Sequence, residues 1–180
     1  MIQISGNLDN APILDLPTSH CSKYARLVAE QIFGLKYNPA NAWDLHKVNN
    51  SVWFADKDAN NLKNVLDQYG LGVEELYNFK NLALLGKKKL NLINEGIIED
   101  MKPHLKPGHV IGTYCFASSY NSSERNYSHI VIYAGKDNIG KDHIFHQFKS
   151  EVFSESLEGL MFSQPFNILI PREIISPPNV

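Results

Sequence analysis

"SHIVIYAGKDNIGKDHIFHQF", Ser128 to Phe148, is the stretch on which the fold of this chain turns. Two apolar runs rich in β-branched and aromatic residues flank Gly135, Asp137, Asn138 and Gly140, the residue types that a turn requires. The pattern predicts a β-hairpin. With Ala134 paired to Lys141, Gly135 to Gly140 form the loop and His129 falls directly opposite His146. Directly opposite residues of an antiparallel pair share a face, with their side chains in reach. His143, three positions from His146, faces the other side. Register alone therefore selects two of the seven histidines. An imidazole acting as a base needs a second group to fix its tautomer and orientation, so the pair has a chemical use. The bland alternative is two polar residues on a half-exposed sheet face.

Further strands read around the hairpin. Pro107 and Gly108 lead into "HVIGTYCFA" (His109 to Ala117), a polar loop "SSYNSSERNYS" follows, and "FNILIPREI" (Phe166 to Ile174) comes last. The upstream half reads as helical. In "PTSHCSKYARLVAEQIFG" (Pro17 to Gly34), Tyr24, Leu27, Val28, Ile32 and Phe33 follow the i, i+3, i+4 rule. Thr18 and Ser19 are candidate N-caps, and Gly34 ends the helix. From about Ala59 to Asp100 two helices are expected, broken near Gly70 and Gly72 and again around Gly86-Lys87-Lys88-Lys89, where the lysines suit a solvated turn. Helices first and strands later predict an α+β domain with a largely antiparallel sheet. At 180 residues and 43% apolar, residues 1–180 suit one domain.

Composition removes several functions. Lys and Arg number 17 and Asp and Glu 19, a formal charge of −2, which gives no electrostatic case for nucleic acid. Cys21 and Cys115 are the only cysteines, too few for a disulfide-rich scaffold or a cysteine-only zinc site. Cys21 with two histidines lacks metal-ligand spacing, so neither metal nor cofactor is expected. No run approaches 18 apolar residues, so no membrane span is expected. The opening "MIQISGNLDNAPILDLP" lacks a basic region and a long apolar run, and does not read as a signal peptide.

Cys21 starts the first helix, and that position has chemical meaning. The helix N-terminus carries partial positive charge and N–H groups that favour a thiolate and can hold an oxyanion. A lone cysteine is more often a packing residue. Beside His129 and His146 in one domain, Cys21 becomes a nucleophile candidate, with base and orienting group supplied.

The order of these parts resembles the NlpC-type cell-wall peptidases, papain-like cysteine amidases and endopeptidases that cut peptidoglycan stem peptides. "CSKYARLV" (Cys21 to Val28), "LKPGHVIGTY" (Leu105 to Tyr114), "SHIVIYAG" (Ser128 to Gly135) and "IFHQF" (Ile144 to Phe148) carry the resemblance. "NPANAWDL" (Asn38 to Leu45) looks like the segment after the cysteine helix in related amidases. The resemblance implies a papain-like fold, the cysteine-bearing helix packed on an antiparallel sheet, with 59–100 as a helical insertion. It implies Cys21 as nucleophile, His129 as general base and then acid, and His146 as the orienting residue. His20, Lys23 and His109 stand where the family usually has Asp, Gly and Asp. His20, Tyr24 and Tyr114 are candidates for the oxyanion hole, Tyr24 suiting a core position better.

A small amidase of this kind also resembles the effectors that some bacteria inject into rivals by type VI secretion. That resemblance implies synthesis in the cytoplasm, action in the periplasm or outside the cell after non-classical secretion, and an immunity protein as partner. The lecithin–retinol type acyltransferases fit less well, because their histidine precedes the cysteine. Two other functions use the same residues: a papain-like protease or deamidase acting on a protein, and a catalytically silent binding domain. Nothing points beyond a monomer, and no disulfide to Cys21 is expected.

Overall fold

The computed structural model describes residues 8–14, 21–39, 41, 44–77, 84–115, 127–163 and 168–178, the side chain of Cys115 excepted. Five helices are described: α1 (Cys21–Phe33), α2 (Leu45–Val48), α3 (Ala55–Asp58), α4 (Asn60–Asp67) and α5 (Lys87–Met101). Six strands, β1 (Asn50–Phe54), β2 (Val110–Cys115), β3 (His129–Lys136), β4 (Asp142–Phe148), β5 (Glu151–Ser156) and β6 (Leu169–Ser176), form one sheet. Its order is β1-β6-β2-β3-β4-β5 and every pairing is antiparallel. The α+β class with an antiparallel sheet is therefore as expected. No described helix is long and apolar enough to cross a membrane.

The cysteine helix forms for the reason its spacing gives. Tyr24, Ala25, Val28 and Ala29 make one buried stripe, and α1 lays it against β3 and β4. Gly34 leaves the helix at φ 69°, a conformation glycine adopts without a Cβ clash. The Tyr24 hydroxyl donates to the Pro12 carbonyl at 2.7 Å, and Ser154 Oγ donates to the Leu8 carbonyl at 2.5 Å, so the 8–14 segment is fastened to α1 and β5. The cap candidates Thr18 and Ser19 lie outside the described residues.

The middle of the chain departs from expectation in two ways. Helices do not all precede strands: β1 comes before α4 and closes one edge of the sheet by pairing with β6. The lysine run is not a turn either. Gly86 holds the N-cap position and Lys87–Lys89 form the exposed first turn of α5. Three cations at a helix start oppose the macrodipole, by roughly 0.3–1 kcal/mol each. Burial of Leu90, Ile93, Ile97 and Met101 outweighs that cost, at about 1.5–3 kcal/mol per fully buried side chain. The break near Gly70 does occur, and a 3₁₀ turn over Val73–Tyr77 follows it. α5 crosses α4 closely: a Cβ on Gly96 would lie 3.1 Å from the Leu62 backbone.

The hairpin exists, but its register is shifted by two. Ile132 pairs with Phe145 and Tyr133 with Ile144; a β-bulge follows, and Lys136 pairs with Asp142. Gly135 absorbs the bulge at φ 96°. The loop is 137–141, closed by Asp137, whose N–H donates to the Lys141 carbonyl and whose Oδ1 accepts from the Lys141 N–H, each at 2.9 Å. Extending the Ile132–Phe145 register puts His129 opposite Phe148 and not opposite His146. A shift of two preserves the face, because side chains alternate with period two, so the two histidines become diagonal neighbours.

Candidate active site

Three adjacent strands bring three side chains into one line. His129 opens β3, with its Nε2 2.9 Å from His146 Nδ1 on β4. His146 Nε2 lies 2.5 Å from Glu155 Oε2 on β5. β4 pairs with β5 so that His146 faces Phe153, and Glu155 is again the diagonal neighbour, two positions along. Each hydrogen bond thus steps one strand across and two residues along. The imidazoles cross at 82° with centroids 5.0 Å apart, and Phe153 stacks on His146 at 5.3 Å and 27°. Both histidines are buried, His129 2% and His146 0% exposed.

Cys21 meets this row through the backbone. Cys21 is the first residue of α1, and the N–H groups of Ile130, the residue after His129, of Ser22 and of Cys21 itself all act to lower the pKa of its thiol. Ile130 is paired to Gly112 on β2, and the described β3–β4 pairing begins only at Ile132. Burial, the largest influence, pushes the thiol up, and the three amides pull it back without cancelling that effect. The resting group is therefore a thiol: desolvation outweighs the preference for thiolate expected at a helix start. Cys21 is a free cysteine. His129 is held well below the ordinary histidine value, first by burial and then by the like charge His146 would carry. The resting pair is a neutral thiol and a neutral imidazole.

The other sequence candidates fall elsewhere. Tyr24 is fully buried and spends its hydroxyl on Pro12, so it acts as a core residue and not as an oxyanion donor. Tyr114 packs against Tyr77 and Tyr127 at centroid distances of 5.2 and 6.2 Å, with the Arg172 guanidinium 5.6 Å above its ring. His20 lies outside the described residues. His109 is buried, with its Nδ1 accepting from the Lys106 N–H at 3.2 Å. His143 faces away from His146, as expected, and contacts Asp137 and Ser154. Among the described residues no group of three or more His, Cys, Asp or Glu is arranged to hold a metal ion.

Glu155 is the residue the sequence reading missed. The turn before it is unmarked in sequence: Lys149 and Ser150 form a two-residue connection, with Lys149 at φ 54° and Phe148 paired to Glu151, but lack the Asn-Gly or glycine types that announce such a turn. Continuing the pairing from that turn carries Glu155 to the face of His146. Comparison of the chain with protein-family models, curated proteins and solved structures finds no match.

Proposed function

We propose that this chain is a cysteine amidase of the papain-like, NlpC-type kind, cutting amide bonds in peptidoglycan stem peptides. The observation that carries the reading is the buried His129–His146 hydrogen bond, with the next residue's amide, Ile130 N–H, acting on the Cys21 thiol to lower its pKa. The quoted segments at Cys21, Leu105, Ser128 and Ile144 point to the cell-wall substrate, with residues 59–100 as the insertion that sets this chain apart.

The mechanism is acyl transfer. His129 takes the Cys21 proton as the sulfur attacks the amide carbonyl, forming a C–S bond and an oxyanion. Amides at the start of α1 hold the oxyanion; losing one such donor costs about 10²–10³ in rate. The imidazolium returns the proton to the leaving amine as the C–N bond breaks. Water, deprotonated by His129, then cleaves the thioester and frees Cys21. A base working in this way contributes roughly 10²–10⁴-fold. A neutral imidazole and a neutral thiol are the protonation states that the first step needs. An effector role after non-classical secretion, with an immunity protein as partner, belongs to the same proposal.

The test is incubation of purified peptidoglycan with wild type, Cys21→Ala and His129→Ala, with released fragments read by mass spectrometry. Cleaved stem peptides from wild type alone are expected. Intact wall material alongside cleavage of a protein substrate would replace the amidase with a protease or deamidase, and no Cys21-dependent cleavage of either would leave a binding domain.

A further inference from the structure

We propose that Glu155 is a positioning residue that fixes which nitrogen is protonated on both histidines, leaving His129 Nδ1 as the base. The inference rests on the reading of His129 as the base for Cys21.

A carboxylate only accepts hydrogen bonds, so the 2.5 Å contact requires the proton of His146 to sit on Nε2. If that is the only N–H His146 carries, its Nδ1 is an acceptor. The 2.9 Å contact to that atom then requires His129 to donate from its own Nε2. His129 Nδ1 is left with the lone pair that can receive the Cys21 proton. Reversing the order at Glu155 reverses every step: His146 would donate from Nδ1, and His129 would carry its proton on Nδ1, where the base must be empty. The Phe153 stack holds the plane of the His146 ring, which the His129 ring meets at 82°. Once His129 becomes imidazolium, the carboxylate stands one ring away from the new charge.

Long-range proton–nitrogen NMR spectra of protein labelled with nitrogen-15 in its histidine rings read the tautomers directly at neutral pH. Wild type is expected to show His129 and His146 both as the Nε2–H form. Glu155→Gln is nearly isosteric, but its amide can either accept or donate. Mixed tautomers at His146 and His129 are expected there, with kcat down about 10- to 100-fold, the range for residues that orient a reacting group. Glu155→Ala, with no acceptor, should mix them as well. An Nδ1–H form at His146 in wild type, or tautomers left unchanged in Glu155→Gln, overturns the proposal. The expected spectra from a protein that cuts no amide would sink the amidase reading and leave the role of Glu155 in ordering the two rings intact.

Discussion

Gly112→Ala sets two effects of opposite sign against each other. Gly112 lies on β2, paired to Ile130. A Cβ there would sit 2.8 Å from Cδ2, Cε2 and Cζ of Tyr127. That ring cannot swing away cheaply. It is fully buried, its hydroxyl donates to the Glu173 carboxylate, and Tyr114 and His46 press against it with centroids 6.2 Å away. Alanine in a strand gains about 0.5–1 kcal/mol over glycine through backbone entropy. Overpacking costs about 1–3 kcal/mol, and weakening the buried hydroxyl–carboxylate bond adds roughly 1–3 more. The clash wins, for a net loss of about 1–5 kcal/mol. For a domain of this size each kcal/mol moves Tm by roughly 2–4 °C, so the Tm read by circular dichroism should fall by about 2–20 °C. Tyr127 stands two residues before His129, so the displaced ring should also lower kcat in protein that remains folded. In a Tyr127→Leu background the same substitution should cost much less. A Tm that rises or stays level would show that the ring does not press on β2 as described.

Asp100 accepts from Asn61 N–H, Asn61 Nδ2 and Leu62 N–H at 2.8–2.9 Å and so caps the start of α4. Asp100→Ala should cost about 2–3 kcal/mol in a urea melt with kcat unchanged, and a loss below about 0.5 kcal/mol would dismiss the cap. The depressed His129 means that the unfolded chain, with an ordinary value near ~6.5, binds protons that the folded chain refuses. Stability should hold above about pH 6.5 and fall as pH drops below it towards the folded value. The fall should be shallower in His129→Gln, and identical slopes would contradict the shift. The thiol pushed up by burial predicts that iodoacetamide labels Cys21 more slowly than a free thiol at neutral pH, accelerating only in alkali. Faster labelling at pH 6 would mean a resting thiolate.

The legible parts of this chain were those written as periodicity. The α1 stripe of Tyr24, Val28 and neighbours and the apolar strands β2, β3 and β6 follow from residue spacing. The His129–His146 contact was reached through a register two residues off, because the bulge at Gly135 and the Asp137 loop closure leave only weak marks in sequence. The shared face survived because the error was even. β5, "EVFSES", is a polar edge strand that carries no apolar alternation to announce it, and Glu155 was hidden with it. β1 is five residues long and gains its place from pairing with β6, far along the chain. The resting state of Cys21 was misjudged because the helix start is visible in sequence while the burial that outweighs it comes from the packed sheet.

Trapping the acyl-enzyme tests the central claim most directly. Purified peptidoglycan fragments would be mixed with wild type, quenched in acid within the first turnovers, and the protein digested for mass spectrometry. A stem-peptide fragment should appear as a thioester on the peptide that carries Cys21. It should be absent in Cys21→Ala and strongly reduced in His129→Ala. Turnover with no adduct on that peptide, or an adduct on another residue, would contradict Cys21 as the nucleophile.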